Sequence, residues 1–357
     1  MYRLGVVESV DLESMYKCID MASIQQDPHL VARVQGASIW SFTGNCGPFG
    51  TARGTTTHGL TGLADPESSA YTDMLLLLGS LNEEARPKCI LLENIKAFVS
   101  NSDRLKNKSN AIGDGVWWLH QLADLGFYIE VHIPNVLTLE VAQKRERAMV
   151  VCFKSLEHHR AWIQMGAPRP VSCRPQLHTI FQGRNELGAG DVSRYTVDRR
   201  QVDLYSRTVG LKNGHVVVTR QSMDPGPTLR ASYQVTRSIP KVARREIPYG
   251  MYLSESCGSM RMLTEVECGL YMGMNQREAE CLPLGADSYF ALGNAVIVHV
   301  AEQFVHQALE CMEVAVRARE MGGTSLETAP TIGTVRRPEL VRVCGNGRDV
   351  RTIWVTR

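Results

Sequence analysis

Apolar positions along the chain follow two rhythms. Short apolar runs, LGVVES (4–9), ASIWSF (37–42), KCILLEN (88–94) and RAMVVCF (147–153), and the alternating FYIEVHI (127–133) predict strands. Runs of this kind suit a sheet covered on both faces. Between them, SSAYTDMLLLLGSLNEE (68–84) and GDGVWWLHQLADLG (113–126) predict helices, the second closed by Gly126. Strands alternating with helices predict an α/β fold built on a doubly wound, mostly parallel sheet.

The rhythm breaks between about 155 and 258, where prolines, arginines and short polar runs take over. VGLKNGHVVV (209–218) reads there as a hairpin turning at Asn213–Gly214. This region predicts a smaller, irregular, β-containing domain. LTEVECGLYMG (263–273) follows, and 292–320 reads as one long helix with Ile297, Ala301, Val305, Ala308 and Met312 on its core face. The tail is irregular, although PELVRVCGNGRD (338–349) suggests a strand and a glycine turn. The expected organisation is a main domain over 1–154, an inserted domain over 155–258, a return to the main domain over 259–320, and a tail over 321–357.

Composition narrows the class. With 44% hydrophobic and 21% charged residues, the chain matches a globular protein with a sizeable core. Its longest apolar stretches, MLLLLG (74–79) and AVIVHVA (295–301), are too short to cross a bilayer, so no membrane partner is expected. The start MYRLGVVESVD has no secretory pattern, which predicts an intracellular protein, nuclear in a eukaryote or cytoplasmic in a bacterium. Ten cysteines occur without a Cys-x-x-Cys pair, so neither a structural zinc nor a disulfide framework is expected. The His158–His159 pair and Cys173 read as structural or surface residues. The net charge of +2 conceals an asymmetry: Lys154 to Cys257 holds sixteen Lys and Arg against eight Asp and Glu. A basic segment in an acidic frame suits phosphate contacts, though an Arg-rich solvated surface would look the same.

Candidate chemistry centres on TGNCGPFG (43–50). Structural cysteines usually sit in apolar runs; Cys46 follows a strand and lies between glycines, where a turn can present its sulfur. In open α/β sheets the working residues lie beyond the carboxyl ends of the strands, and Glu8, Cys46 and Glu93 all fall there. Singly, each has a plain structural reading, as a turn cysteine or a strand-end cap.

Five stretches together resemble the DNA cytosine-5 methyltransferase family, in that family's order. They are GNCGPFGTA (44–52), LLENI (91–95), QKRER (143–147), MRMLTEVECGL (260–270) and GNAVIVHVAEQ (293–303). The resemblance implies methyl transfer from S-adenosylmethionine to C5 of a cytosine flipped out of double-stranded DNA, with 155–258 as the target-recognition domain. Cytosine C5 is a poor nucleophile, and a thiolate that adds to C6 activates it. By the resemblance Cys46 is that nucleophile and Glu93 the acid that shares a proton with N3, for which it should be buried. Arg145 would bind the O2 side of the ring and favour the thiolate. Asn94, Gln143 and Arg147 would support or bind the substrate, with Glu8, Asp27 and Asn294 at the cofactor.

Two departures stand out. The family's Pro-Cys-Gln is here Asn45-Cys46-Gly47, which frees a backbone dihedral before the thiol. The family's Phe-x-Gly-x-Gly cofactor turn does not precede Glu8; truncation, decay or a rearranged terminus using 341–349 would each account for that. Two alternatives therefore accompany the reading: a catalytically impaired DNA-binding homologue, and an RNA cytosine-5 methyltransferase. The second lacks the Cys-Phe-Thr segment of the tRNA-modifying branch.

Overall fold

The structure, a computed structural model, describes residues 29, 31, 32, 35, 37–44, 46–49, 62–100, 114–133, 143–166, 168, 177–181, 195–197, 216–221, 226–229, 251–254, 260–320, 341–344 and 350–352. The expected strand at 4–9, Glu8, Asp27, Cys173 and the turns at 213–214 and 345–349 lie outside them. The chain divides into two compact units, Met1–Ile129 with Val151–Ser155, and Glu130–Val150 with Leu156–Arg357. The division passes through two strands, β3 (Tyr128–His132) and β5 (Arg147–Phe153).

In the first unit the strand order is β1 (Ile39–Thr43), β2 (Cys89–Ile95), β5, β3. β1 and β2 are parallel, in a register that runs from Ile39 opposite Cys89 to Thr43 opposite Glu93. Just past β5, the Lys154 amide donates to the carbonyl of Lys88, just before β2, at 3.0 Å. The end of β5 thus meets the start of β2, and these two strands are antiparallel. The first six residues of β2 are all buried, as the unbroken CILLEN run predicted.

Helix α1 (Ser69–Ser80) buries Tyr71, Met74, Leu77 and Leu78, spaced three and four apart. Helix α2 (Asp114–Asp124) buries Val116, Trp118, Leu119 and Leu122. Gly126, at φ 93°, ends α2 in the left-handed conformation, and the Phe127 amide reaches back to the Leu122 carbonyl at 3.2 Å. Arg86 fastens both helix ends: Nε donates to the Leu78 carbonyl and Nη1 to the Leu125 carbonyl, each at 2.9 Å. Phe42, Phe49, Tyr71, Phe98 and Trp118 pack as one aromatic cluster with centroids 5.0–6.2 Å apart. Burying one such ring stabilises the fold by roughly 1.5–3 kcal/mol.

In the second unit β3 is followed across the sheet by β11 (Val341–Cys344) and β12 (Val350–Thr352), which pair antiparallel. The 341–344 segment is thus a strand, as expected, with β3 as its sheet neighbour. A four-stranded sheet runs β6 (Thr196–Val197), β10 (Met260–Met262), β9 (Met251–Ser254), β7 (Val216–Val218). β7 pairs in parallel with β9, so the described half of the expected hairpin finds its partner far along the chain. A two-residue strand β4 (Gln143–Lys144) pairs in parallel with β8 (Gly226–Pro227).

Helix α3 (Leu156–Met165) carries His159, which is buried and bonded to Glu130 of β3 at 2.9 Å. Beside it, Trp162 Nε1 donates to His132 Nε2 at 3.0 Å. The His158–His159 pair therefore contributes a core residue in His159.

The helix expected over 292–320 is two helices, α6 (Ala286–Asn294) and α7 (Val298–Glu320), with Ala295 extended at ψ 158° between them. The core face is corrected with it. Val300, Phe304, Ala308, Cys311, Met312 and Ala315 are buried, while Ala301 and Val305 are half-buried. The break after Asn294 restarts the helical phase, so a stripe counted from Ile297 runs slightly off the buried face.

Ahead of these lie α4 (Glu265–Tyr271) and α5 (Gln276–Glu280). Thr264 and Glu267 form a capping box on α4, with bonds of 3.1 and 2.9 Å. The same Glu267 carboxylate receives both terminal nitrogens of the buried Arg261, at 2.8 and 2.9 Å. Among the described residues no helix is long and apolar enough to cross a membrane.

Candidate active site

The first unit holds Cys46 and Glu93, the residues expected to be nucleophile and acid. Cys46 lies three residues past the end of β1, in a turn that becomes a single 3-10 turn at Gly47–Phe49, and the Phe49 amide closes onto the Cys46 carbonyl at 3.1 Å. Because Thr43 pairs with Glu93, the ends of β1 and β2 bring the Cys46 turn and the Glu93 carboxylate to the same edge of the sheet. Cys46 is half-buried and Glu93 is 7% exposed, so the acid is sheltered as donation requires.

Asn94 follows Glu93 and is buried. The Ile95 amide donates to Asn94 Oδ1 at 2.7 Å, which fixes the orientation of the side-chain amide. Nδ2 then donates to the Gly44 carbonyl at 3.4 Å and to the Tyr71 hydroxyl oxygen. Asn94 therefore ties the end of β2 to the turn carrying Cys46. Gly44 admits no side chain, because a Cβ there would lie 2.3 Å from Tyr71 Cζ. Burial first, then electrostatic interaction with Cys46 and with Glu93, push the Tyr71 phenol far above its usual value. That hydroxyl therefore lies in the field of both candidate reactive groups.

Sequence reading missed Tyr71. The only signal was a hydroxyl-bearing ring in the otherwise apolar stripe of α1.

The second unit holds Gln143, Arg145, Arg147 and Asn294. Gln143 is fully buried: its Oε1 accepts from the Leu229 amide at 3.3 Å and its Nε2 donates to the Tyr271 carbonyl at 2.9 Å. Arg145, 2% exposed, donates to the carbonyls of Leu229 at 3.1 Å and Ala295 at 2.9 Å, with Gly293 at 3.5 Å. The Gln-x-Arg pattern thus grips both backbone groups of Leu229 and braces the turn between α6 and α7. Arg147 is half-buried and donates to the Glu146 carbonyl at 2.9 Å. Asn294, the last residue of α6, is exposed, and its amide can donate and accept, which suits the polar groups of a cofactor. Among the described residues no cluster of three or more His, Cys, Asp or Glu could hold a metal ion.

Cys46 and Glu93 lie at neighbouring strand ends of an α/β sheet, and comparison with known proteins identifies the class. Solved structures share the fold across both chains. EhMeth, a methyltransferase of Entamoeba histolytica, is 15% identical at TM-score 0.55, covering 82% of each chain. The Dnmt2 methyltransferase of S. pombe is 15% identical at TM-score 0.52, covering 78% of this chain and 79% of that one. A mutant of Spodoptera frugiperda DNMT2 is 14% identical at TM-score 0.56, covering 80% and 83%. No curated protein matches the sequence. The family model for C-5 cytosine-specific DNA methylase matches residues 59–310. The chain belongs to that family, and its methyl donor is S-adenosylmethionine.

Proposed function

We propose that this protein is a DNA cytosine-5 methyltransferase acting through a covalent Cys46 adduct on a cytosine flipped out of duplex DNA. The carrying observation is the β1–β2 register, which supports a nucleophile and an acid working at one sheet edge. S-adenosylmethionine supplies an electrophilic methyl carbon, and Glu8, Asp27 and Asn294 are the residues we assign to holding it. Cys46 adds to C6, and the electron density this releases makes C5 nucleophilic. Negative charge also develops at N3, where the sheltered Glu93 holds a proton. After transfer the C5 proton leaves to a base and the carbon–sulfur bond breaks, which regenerates the thiolate.

The resemblance assigns Arg145 to the O2 side of the ring. Its guanidinium already serves three carbonyls, so we read bracing of the 226–229 and 293–295 segments as its main work, with Gln143 as framework beside it; Asn94 is framework for the Cys46 turn. Arg147 is better exposed for substrate contact. The domain plan is a catalytic domain over 1–154 and 259–320, with 155–258 as the target-recognition domain. The sixteen basic residues between Lys154 and Cys257 support phosphate contact there.

The test is transfer of radiolabelled methyl groups from S-adenosylmethionine to duplex DNA by the full chain, with tRNA as a parallel substrate. Transfer to DNA should fall to background in Cys46→Ser, and DNA carrying 5-fluorocytosine should trap a covalent adduct. Transfer that survives Cys46→Ser refutes the mechanism, and methylation of tRNA but not DNA replaces the substrate.

A further inference from the structure

A tyrosine hydroxyl offers one proton and two acceptor lone pairs. At Tyr71 one lone pair accepts from Asn94 Nδ2, whose orientation the Ile95 amide dictates. The phenolic proton is therefore left for another acceptor. Cys46 and Glu93 are the groups that interact electrostatically with this oxygen. The ring cannot drift, because it packs edge-on to Phe42, Phe49 and Trp118 and stacks on Phe98 at 5.3 Å. Its hydroxyl lies 2.5 Å from where a Gly44 Cβ would be, so it closes directly over the backbone two residues before the nucleophile. Asn45 occupies the position where a proline would have stiffened that backbone.

We propose that Tyr71 is a positioning residue for the nucleophile: its hydroxyl locks the Gly44–Cys46 turn through Asn94 and presents its own proton to the edge where Cys46 and Glu93 lie. The proposal rests on the functional reading above for its catalytic consequence, but not for its effect on the thiol. The hydroxyl remains un-ionised throughout; it donates a hydrogen bond, and no bond is made or broken at Tyr71.

Tyr71→Phe removes the oxygen and keeps the ring. In the full-length protein we expect kcat for methyl transfer to fall about ten- to a hundredfold, with KM for S-adenosylmethionine within about twofold, as for loss of a charge-stabilising donor. The second measurement needs no turnover: Cys46 alkylation by iodoacetamide, followed by peptide mapping, should slow at least about threefold because the thiolate loses a donor. Unchanged Cys46 alkylation overturns the proposal, even if kcat falls, since the loss would then be merely structural. If the wild type transfers no methyl group to DNA or tRNA, the functional reading fails separately. Slower Cys46 alkylation in Tyr71→Phe would still support the positioning role.

Discussion

Replacing Gly44 by alanine isolates the contact that shapes the candidate site. Gly44 lies outside the left-handed region, so its backbone suits any residue. On unfolded-state entropy alone, alanine there should stabilise the fold by about 0.4–1 kcal/mol. The Tyr71 ring reverses the sign. The new Cβ would lie 2.3 Å from Cζ and 2.5 Å from both Cε2 and the hydroxyl, so ring or turn must yield by roughly 1 Å to reach ordinary contact. Phe42, Phe49, Phe98 and Trp118 hold the ring from other sides, and overpacking of this kind costs about 1–3 kcal/mol. Displacing the hydroxyl from Asn94 adds about 1 kcal/mol. The net expectation is destabilisation of roughly 1–3 kcal/mol, read from the urea midpoint at constant slope. In a Tyr71→Leu background there is no Cζ to strike, and Gly44→Ala should become neutral or stabilising. An equal cost in both backgrounds, or no cost in the wild type, would refute the reasoning.

Three further outcomes follow from buried groups. Arg261→Met leaves the Glu267 carboxylate buried without its bidentate partner and should cost about 3–5 kcal/mol; Arg261→Met with Glu267→Leu should recover most of it. Thermal unfolding checks both, and a single mutant as stable as the wild type would overturn the assignment. Burial, with Glu310 adding, pushes the Cys311 thiol up to about 12 from its ordinary 9.0, and burial lifts Cys152 and Cys268 well above that ordinary value. At pH 8 iodoacetamide should therefore label the exposed Cys281 and the half-buried Cys46 long before these three, as peptide mapping would show. Above about pH 9 the unfolded chain binds fewer thiol protons than the folded one, so stability should decline as pH rises. Constant stability from pH 9 to 11 would contradict these shifts.

Periodicity carried the first unit well. RAMVVCF is β5 residue for residue, and the Gly126 stop is where α2 ends, because short buried strands and a left-handed glycine leave local marks. Parallel pairing of β7 with β9 left none, since its partner lies more than thirty residues away and no turn chemistry announces it. The break after Asn294 was hidden for a different reason. Ala295, Val296 and Ile297 would all be accepted by a helix, and the Gly293 and Ala295 carbonyls at the break accept instead from Arg145, more than a hundred residues earlier. Within the candidate site, Cys46 and Glu93 were legible because strand ends concentrate chemistry. Tyr71 was not, because its role depends on an amide orientation set by one backbone bond at Ile95.

Leu229 is held by both its amide and its carbonyl, and β8 just before it is zipped to β4. For anyone exchanging segments between homologues, this marks a seam. A graft that joins its donor upstream of Gly226 keeps that anchorage intact, whereas one spliced beyond Leu229 replaces the peptide that Gln143 and Arg145 are built to clasp.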